Sequence, residues 1–409
     1  MFHPRRFFRK LGPGIITGAS DDDPSGIVTY SQTGANFGYA FLWLALFTAP
    51  LMMAVQEMSA RLGMVTKRGL TTLIRQRYSK RVALIVTLLL LIVNTVNIGA
   101  DLSAMGEVGH LLWKWPSWFF AVVFALAIIG LEIFLSYRRY VNILKWLTLA
   151  LFSYFLGAFF VQQDWSQIAL HSFLPHWPTG SNAWYLIVAI LGTTISPYLF
   201  FWQSAEEVEE HHHQATTSRE QMKAMRKDVV WGMIFSNVTM FFIIITTAGA
   251  LHSHGVTSIT TAAQAAEALR PFAGSATYWL FSLGIFGTGL LAIPVLAGSA
   301  AYAFAEVFDW REGLSKKMGQ ARQFYLALAL SIIFGLAMHI LGVSAITLLI
   351  FAAVLNGLLA PVMIFFLLRL SDDRRVVGDQ VSPPSVRWGG WITFTLMTLV
   401  GIVVIVQLF

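Results

Sequence analysis

The sequence predicts an all-α polytopic membrane protein with eleven transmembrane helices. Of its 409 residues, 56% are hydrophobic and only 12% are charged, and the mean hydropathy is +0.65. A typical soluble domain carries about 25% charged residues. Eleven apolar segments are long enough to cross a hydrocarbon core of ~30 Å. Loops rich in basic residues then alternate with loops that have few, as the positive-inside rule predicts.

The predicted spans follow one another along nearly the whole chain, and the first and the sixth are interrupted. They cover approximately 11–34, 39–61, 82–108, 117–136, 141–163, 182–205, 229–252, 275–305, 323–342, 345–369 and 389–409.

Lys and Arg determine the predicted orientation. With the N-terminus in the cytoplasm, 26 of the 28 basic residues lie on the cytoplasmic side, and only Lys114 and Arg270 do not. The positive-inside rule predicts this bias. We therefore expect a multi-pass protein of a bacterial inner membrane, with the N-terminus cytoplasmic and the C-terminus outside. The bias also explains the net charge of +7 without a nucleic-acid partner; the lipid bilayer is the expected surrounding.

Three consecutive carboxylates interrupt the first span. Asp21, Asp22 and Asp23 are followed by Pro24, Ser25 and Gly26, after which the apolar pattern resumes. An ionisable residue inside a membrane is costly and therefore indicates function. A proline and a glycine at the same depth free backbone groups that only protein or a water-filled cavity can receive. The alternative is that Asp23 only caps the following helix.

The sixth span repeats this interruption. Gly192, Thr193, Thr194, Ser196 and Pro197 lie in its middle. Two interrupted helices in corresponding places predict a transporter built from inverted repeats, with its site near the membrane centre. The predicted arrangement is one transmembrane domain over 1–409. Its first five-helix repeat covers about 11–163, its second about 182–369, and a terminal helix about 389–409.

Several motifs resemble those of the NRAMP divalent-metal transporters. They are GPG at 12–14, DPSG at 23–26, QEMSARLG at 56–63 followed by Val65-Thr66, Ala100-Asp101-Leu102, and the stretch from Leu191-Gly192 to Pro197. The resemblance implies a LeuT-like fold with two inverted five-helix repeats. It also implies a metal ion, as transported substrate, between the unwound parts of helices 1 and 6.

The resemblance carries over to individual residues with some departures. Asp23 keeps the family's carboxylate ligand, whereas Gly26 stands in place of its Asn ligand. In the sixth helix Thr193 stands where the family has a coordinating Ala carbonyl, Ser196 replaces its Met, and Tyr198 replaces its His. The predicted metal site is therefore Asp23, Gly26, Thr193 and Ser196, with Asp22 either lining the same cavity or neutralising an internal partner. The alternative for Thr193 and Ser196 is that they only satisfy backbone groups freed beside Pro197.

Three further residues are candidates for the pathway or for gating, namely Tyr198, Gln56 and Asp101. Asp101 stands where the family has an acid on its proton route, but the acid one turn later is replaced by Ala104. Gln56 and Asp101 would otherwise join Glu57, Asn94 and Asn97 in a structural polar network between membrane helices.

The departures indicate which ion is carried. Carboxylate, carbonyl, hydroxyl and water oxygens suit Mg²⁺ and Mn²⁺, whereas a thioether favours late transition metals. The chain thus resembles most closely the NRAMP-related magnesium transporter branch. We expect secondary-active or facilitative uptake of Mg²⁺, with Mn²⁺ as second choice and no bound cofactor. The replaced His and acid weaken the case for proton coupling. The membrane potential alone would supply about 4.6 kcal/mol per 100 mV for two charges.

Two other functions are alternatives to metal transport. The same fold with a different substrate, such as an amino acid or an organic cation, remains an alternative because two family ligands are replaced. An intramembrane aspartyl protease needs two facing carboxylates, whereas three consecutive ones are expected to diverge, so we do not expect an enzyme. The stretch EEVEEHHH at 206–213 is expected to be a solvated cytoplasmic helix end, because adjacent histidines on a helix do not face one ion.

Overall fold

Helices account for all the regular secondary structure in residues 12–135, 152–177, 181–211, 217–339, 342 and 344–408, the part of the chain that the computed structural model describes. This confirms the predicted all-α class. The helices are α1 Pro13–Asp21, α2 Pro24–Phe37, α3 Leu42–Thr66, α4 Leu70–Arg77, α5 Lys80–Trp113, α6 Ser117–Phe134, α7 Phe152–Phe160, α8 Trp165–Phe173, α9 Ser181–Thr194, α10 Pro197–His211, α11 Arg219–Ala250, α12 Ala262–Glu267, α13 Arg270–Ala273, α14 Thr277–Phe308, α15 Arg322–His339, α16 Ala345–Ser371, α17 Arg374–Val377 and α18 Pro384–Leu408.

Nine of the eleven predicted spans correspond to helical segments of the described part that are long and apolar enough to cross a membrane. The first predicted span is divided into α1 and α2, of 9 and 14 residues, and each alone is shorter than the ~20 residues that a crossing needs. The fifth predicted span begins outside the described residues, and α7 forms its second part.

A proline stands at both interruptions, although Pro50, Pro294 and Pro361 lie inside continuous helices. Pro24 begins α2 and Pro197 begins α10. A proline inside a helix removes a hydrogen bond and clashes with the preceding turn, and it pushes the residue before it to an extended conformation. Asp23 accordingly has φ −69° and ψ 173° and acts as the N-cap of α2. The two divided helices also pack against each other, α1 on α10 and α2 on α9.

Glycines bring α1 into backbone contact with α11. A Cβ built on Gly18 would lie 2.2 Å from the carbonyl oxygen of Gly232, and one built on Gly232 would lie 2.1 Å from the carbonyl oxygen of Gly14. Small residues four apart permit this approach between membrane helices. The contact fixes the register of the two helices, so the end of α1 at Asp21 faces Ser236, one turn beyond Gly232.

Candidate metal-binding site

Asp23 lies at the centre of the predicted site and is 1% exposed. Its Oδ1 accepts hydrogen bonds from the Ser25 hydroxyl at 2.5 Å and from the Gly26 amide at 2.8 Å. Its Oδ2 accepts one from the Asn97 side-chain amide at 2.9 Å. A carboxylate offers about four acceptor positions, so capping α2 leaves room for a cation contact. The capping and ligand interpretations are therefore compatible.

Thr193 and Gly26 bring the two interrupted helices together beside Asp23. The Thr193 hydroxyl oxygen lies 3.5 Å from the Ser25 hydroxyl oxygen. A Cβ built on Gly26 would lie 3.2 Å from the same Thr193 oxygen. Gly26 thus permits the close approach of α9 and supplies a backbone amide rather than a side-chain ligand. The structure thus brings these two predicted site residues together beside Asp23.

Ser196 and Tyr198 are engaged elsewhere. The Ser196 hydroxyl donates to backbone carbonyls of its own segment, at 2.7 Å for Gly192 and 3.0 Å for Thr193. This bond satisfies backbone groups freed by Pro197. The Tyr198 hydroxyl donates to the Ser20 carbonyl at 3.1 Å and so links α10 to the last turn of α1. The structure does not bring either hydroxyl to the carboxylate of Asp23.

Asp22 turns away from the partners of Asp23. The Ser236 hydroxyl donates to Asp21 Oδ2 at 2.5 Å and lies 3.4 Å from Asp22 Oδ1. The expectation that the three carboxylates all diverge is therefore wrong for Asp21 and Asp22, which converge on α11. Asp22 follows α1 as its C-cap, with the non-helical angles φ −81° and ψ 57°.

Asp101 and Gln56 are also buried at this depth. Both side chains are fully buried, and none of their oxygen and nitrogen atoms has a hydrogen-bond partner among the described residues. The charge of Asp101 interacts unfavourably with that of Asp23. In the expected polar network, Asn94 instead bonds the Leu296 carbonyl at 2.9 Å, and Asn97 contacts Asp23.

The carboxyl groups around the break have no ion-pair partner in the described part of the chain. Asp21, Asp22, Asp23 and Asp101 are each at most 1% exposed, and none of the ion pairs in the described part of the chain includes them. Burying an unpaired carboxylate costs several kcal/mol. A cation between α1, α2, α5 and α11 would relieve that cost.

The donor set restricts the kind of cation. Within the described residues, no group of three or more His, Asp or Glu side chains is placed to hold a metal ion. A cation here would have one or two carboxylates, with hydroxyl, amide, carbonyl and water oxygens completing its shell.

The α1 side of the site is closed. Asp228 on α11 accepts from the backbone amides of Gly12 at 3.1 Å and Gly14 at 2.7 Å. The Thr17 hydroxyl donates to Gln203 on α10 at 2.6 Å. Both interactions fasten α1 to its neighbours and separate the aspartates from solvent.

The EEVEEHHH stretch differs from its expectation. Glu206 and Glu207 are 9% and 1% exposed, so the interpretation of a solvated helix end is wrong for these two residues. Glu207 accepts from Gln203 at 3.0 Å and pairs with His211 at 3.3 Å. His212 and His213 lie outside the described residues.

The sequence did not identify Ser236 and Tyr30 as site residues. It assigned Asn97 only to a structural polar network. Ser236 and Tyr30 are fully buried near the break. A polar pair, Ser236-Asn237, in the apolar seventh span was the available signal. Asn97 carried a signal too, but its polar-network interpretation did not specify contact with Asp23.

Comparison with known proteins identifies similar chains. A family model described as natural resistance-associated macrophage protein-like (Nramp) matches residues 14–407. A divalent metal cation transporter MntH of Verminephrobacter eiseniae is 27% identical over 380 residues, covering 90% of this chain and 82% of that protein. The MntH of Ralstonia nicotianae is 26% identical over 411 residues, covering 97% and 90%.

Solved structures share the fold. The Eremococcus coleocola manganese transporter superposes with a TM-score of 0.78 at 20% identity, covering 98% of this chain and 86% of that one. The nucleobase-cation-symport-1 family transporter Mhp1, in a closed conformation, gives a TM-score of 0.56 at 13% identity, covering 97% and 91%. These similarities confirm the LeuT-like fold.

Proposed function

The chain belongs to the Nramp family, and we propose that it transports divalent metal cations by alternating access around Asp23, with Mg²⁺ preferred over Mn²⁺. The family membership and the names of the MntH relatives support divalent metal transport. The observation that carries the proposal is the group of buried, unpaired carboxylates at the break between α1 and α2.

The preference for Mg²⁺ follows from ligand chemistry. Mg²⁺ dehydrates reluctantly and is usually bound through one or two carboxylates while it keeps several waters. Asp23 with Thr193, the Asn97 amide and nearby backbone provides such oxygen ligands. Soft sulfur ligands select later transition metals, and Ser196 stands where the family has a Met in the sixth helix.

Alternating access requires α1 and α2 to move separately. The two helices meet at Asp22 and Asp23, where no helical hydrogen bond crosses Pro24. The contacts of Asp228 with Gly12 and Gly14 and of Thr17 with Gln203 hold α1 closed. Their release opens the route from Asp23 to the cytoplasm, on the orientation that the positive-inside bias favours.

Uptake does not require protons in this proposal. Tyr198 occupies the place of the family's His and donates to the Ser20 carbonyl, and Ala104 occupies the place of an acid. A potential of 100 mV supplies about 4.6 kcal/mol for a doubly charged ion. Facilitated entry into a cell with a negative interior is then sufficient.

Uptake into proteoliposomes tests this function. We expect saturable entry of Mg²⁺ that Mn²⁺ inhibits more strongly than Ca²⁺, with a constant internal pH recorded at the same time. Asp23→Asn removes the entry. Glu132→Gln is the matched control, because it neutralises another buried carboxylate in α6. If the wild type transports an amino acid or organic cation but no divalent ion, the proposal is wrong.

A further inference from the structure

We propose that Asp21 and Asp22, together with Ser236 on α11, form a second divalent-cation site beside the one at Asp23. This inference rests on the proposed function, because it assigns a second position to the same class of ion. The ligands are two carboxylates and a hydroxyl, which suit a hard divalent cation such as Mg²⁺ or Mn²⁺.

The two carboxylates meet at one hydroxyl group. Ser236 Oγ lies 2.5 Å from Asp21 Oδ2 and 3.4 Å from Asp22 Oδ1. A hydroxyl has a single hydrogen to donate, so when it serves Asp21 it cannot serve Asp22 equally, and Asp22 also interacts with Thr239. Two ionised carboxylates beside one hydroxyl repel each other. A cation between them would attract both and so outweigh that repulsion.

The remaining oxygens are buried and unpartnered. Asp21 Oδ1 and Asp22 Oδ2 have no hydrogen-bond partner among the described residues. The same holds for the hydroxyl of Tyr30, which is fully buried and interacts electrostatically with Asp21, Asp22 and Asp23. Tyr30 is not part of the acidic group, so its unpaired hydroxyl is a separate indication of a polar ligand. Buried polar atoms without partners are few in native proteins and each requires an explanation.

The second position is separate from the first. The hydrogen-bond partners of Asp23 are Ser25, Gly26 and Asn97, whereas Asp21 and Asp22 contact α11. The second position also lies at the C-terminal end of α1, where the helix dipole and free carbonyls favour a cation.

Charge balance favours two ions. Asp21, Asp22, Asp23 and Asp101 carry four negative charges when ionised, and no basic side chain in the described ranges pairs with them. One divalent ion at Asp23 and Asp101 would leave Asp21 and Asp22 uncompensated in a region of low dielectric, which is costly. A second ion neutralises this pair.

Isothermal titration calorimetry tests the inference. The purified full-length protein in detergent is titrated with Mn²⁺ and, separately, with Mg²⁺. We expect two ions per chain for the wild type and for Glu132→Gln. The isosteric variant Asp21→Asn/Asp22→Asn should bind one ion, and Asp23→Asn should bind one at the remaining position. Ser236→Ala should keep both ions with weaker binding at one of them.

Electron paramagnetic resonance of the wild type supplies a readout that needs no variant. Two neighbouring Mn²⁺ ions broaden each other's spectrum, and broadening that begins only after the first equivalent supports a second site. A wild type that transports but binds one ion, with an unchanged count in Asp21→Asn/Asp22→Asn, overturns the second site alone. A wild type that neither binds nor transports divalent ions overturns the proposed function itself.

Discussion

Asn97 on α5 donates a hydrogen bond of 2.9 Å to Oδ2 of Asp23, from 74 residues further along the chain. This bond fixes the orientation of the carboxylate on the side away from the α2 cap. Asp23 is thereby held by two elements, its own helix and the third span. Asn97 therefore orients the carboxylate of Asp23, the proposed metal ligand.

Asn97→Ala should lower the affinity for Mg²⁺ by about 10- to 100-fold, the usual effect of removing a group that orients a metal ligand. The measurement is the dissociation constant from calorimetry. Asn94→Ala is the matched control, because Asn94 lies one turn away and bonds Leu296 and Ser299 instead. Equal losses in both variants would show that Asn97 acts only through packing.

Thr193→Ala should weaken cation binding by about 2- to 13-fold, the effect of losing one hydrogen-bonding group worth about 0.5–1.5 kcal/mol. Ser196→Ala should leave the dissociation constant close to that of the wild type, because the Ser196 hydroxyl already bonds Gly192 and Thr193 carbonyls. Binding isotherms of the two variants decide the point. A larger loss of affinity in Ser196→Ala than in Thr193→Ala would show that Ser196 is a metal ligand.

Gly232→Ala should destabilise the protein by about 1–3 kcal/mol, as overpacking commonly does. Its Cβ would lie 2.1 Å from the Gly14 carbonyl oxygen, and backbone cannot move aside as a side chain can. Thermal unfolding in detergent is the measurement. Gly130→Ala is the control, because nothing lies within 4 Å of its Cβ, and it should be neutral or stabilising. A normal melting temperature for Gly232→Ala would contradict the close α1–α11 packing.

Asp228→Ala should open the α1 side of the site. Loss of the bonds to Gly12 and Gly14 removes a helix cap worth about 0.5–2 kcal/mol, which corresponds to roughly 2- to 30-fold in population. Because the chain has no cysteine, a single Ser20→Cys on α1 can report solvent access through its rate of thiol labelling. Asp228→Asn, which keeps one acceptor oxygen, should give an intermediate rate. Unchanged labelling would mean that Asp228 does not hold α1 closed.

Asp309→Asn should remove an interaction that depends on pH. Arg75 donates from both terminal nitrogens to Asp309, and this pairing lowers the pKa of Asp309 below its ordinary value of 3.8. A carboxylate with a depressed pKa stabilises the folded state above the ordinary pKa, and that contribution is lost as the pH falls through the depressed one. The melting temperature of wild type should therefore exceed that of Asp309→Asn slightly at pH 7 and converge with it in acid.

The control for the pH experiment is Asp379→Asn, an exposed aspartate without an ion pair in the described part of the chain. It should follow the wild type at every pH. A constant difference between wild type and Asp309→Asn down to the lowest pH would show that the effect does not come from the charge of Asp309.

The spans and the two interruptions were predictable because they depend on local chemistry. Apolar length determines which segments cross a bilayer. Pro24 and Pro197 each follow a polar residue, whereas Pro50, Pro294 and Pro361 follow apolar residues and lie inside continuous helices. The three consecutive aspartates, Asp21 to Asp23, likewise showed that acidic groups lie at the first interruption. The resemblance of motifs then supplied the family.

The direction of each side chain was not predictable in the same way. The sequence placed Ser196 with Asp23 and left Asp22 either in the same cavity or beside an internal partner. The structure directs Asp22 toward Ser236 and ties Ser196 to its own backbone. The direction of Asp22 depends on the non-helical conformation of one residue and on the register of α1 against α11. That register is set by contacts between Gly18 and Gly232, 214 residues apart in sequence.

The sequence by itself determined that this chain crosses a membrane many times, that two of its helices break, and that acids lie at one break. These properties follow from composition and from the stereochemistry of single residues. Only the tertiary structure decided which of the acids share partners, because hydrogen bonds such as Asn97 to Asp23 and Ser236 to Asp21 join helices that the chain order separates. The packing of helices, and not the order of residues, therefore divides three consecutive aspartates into two environments.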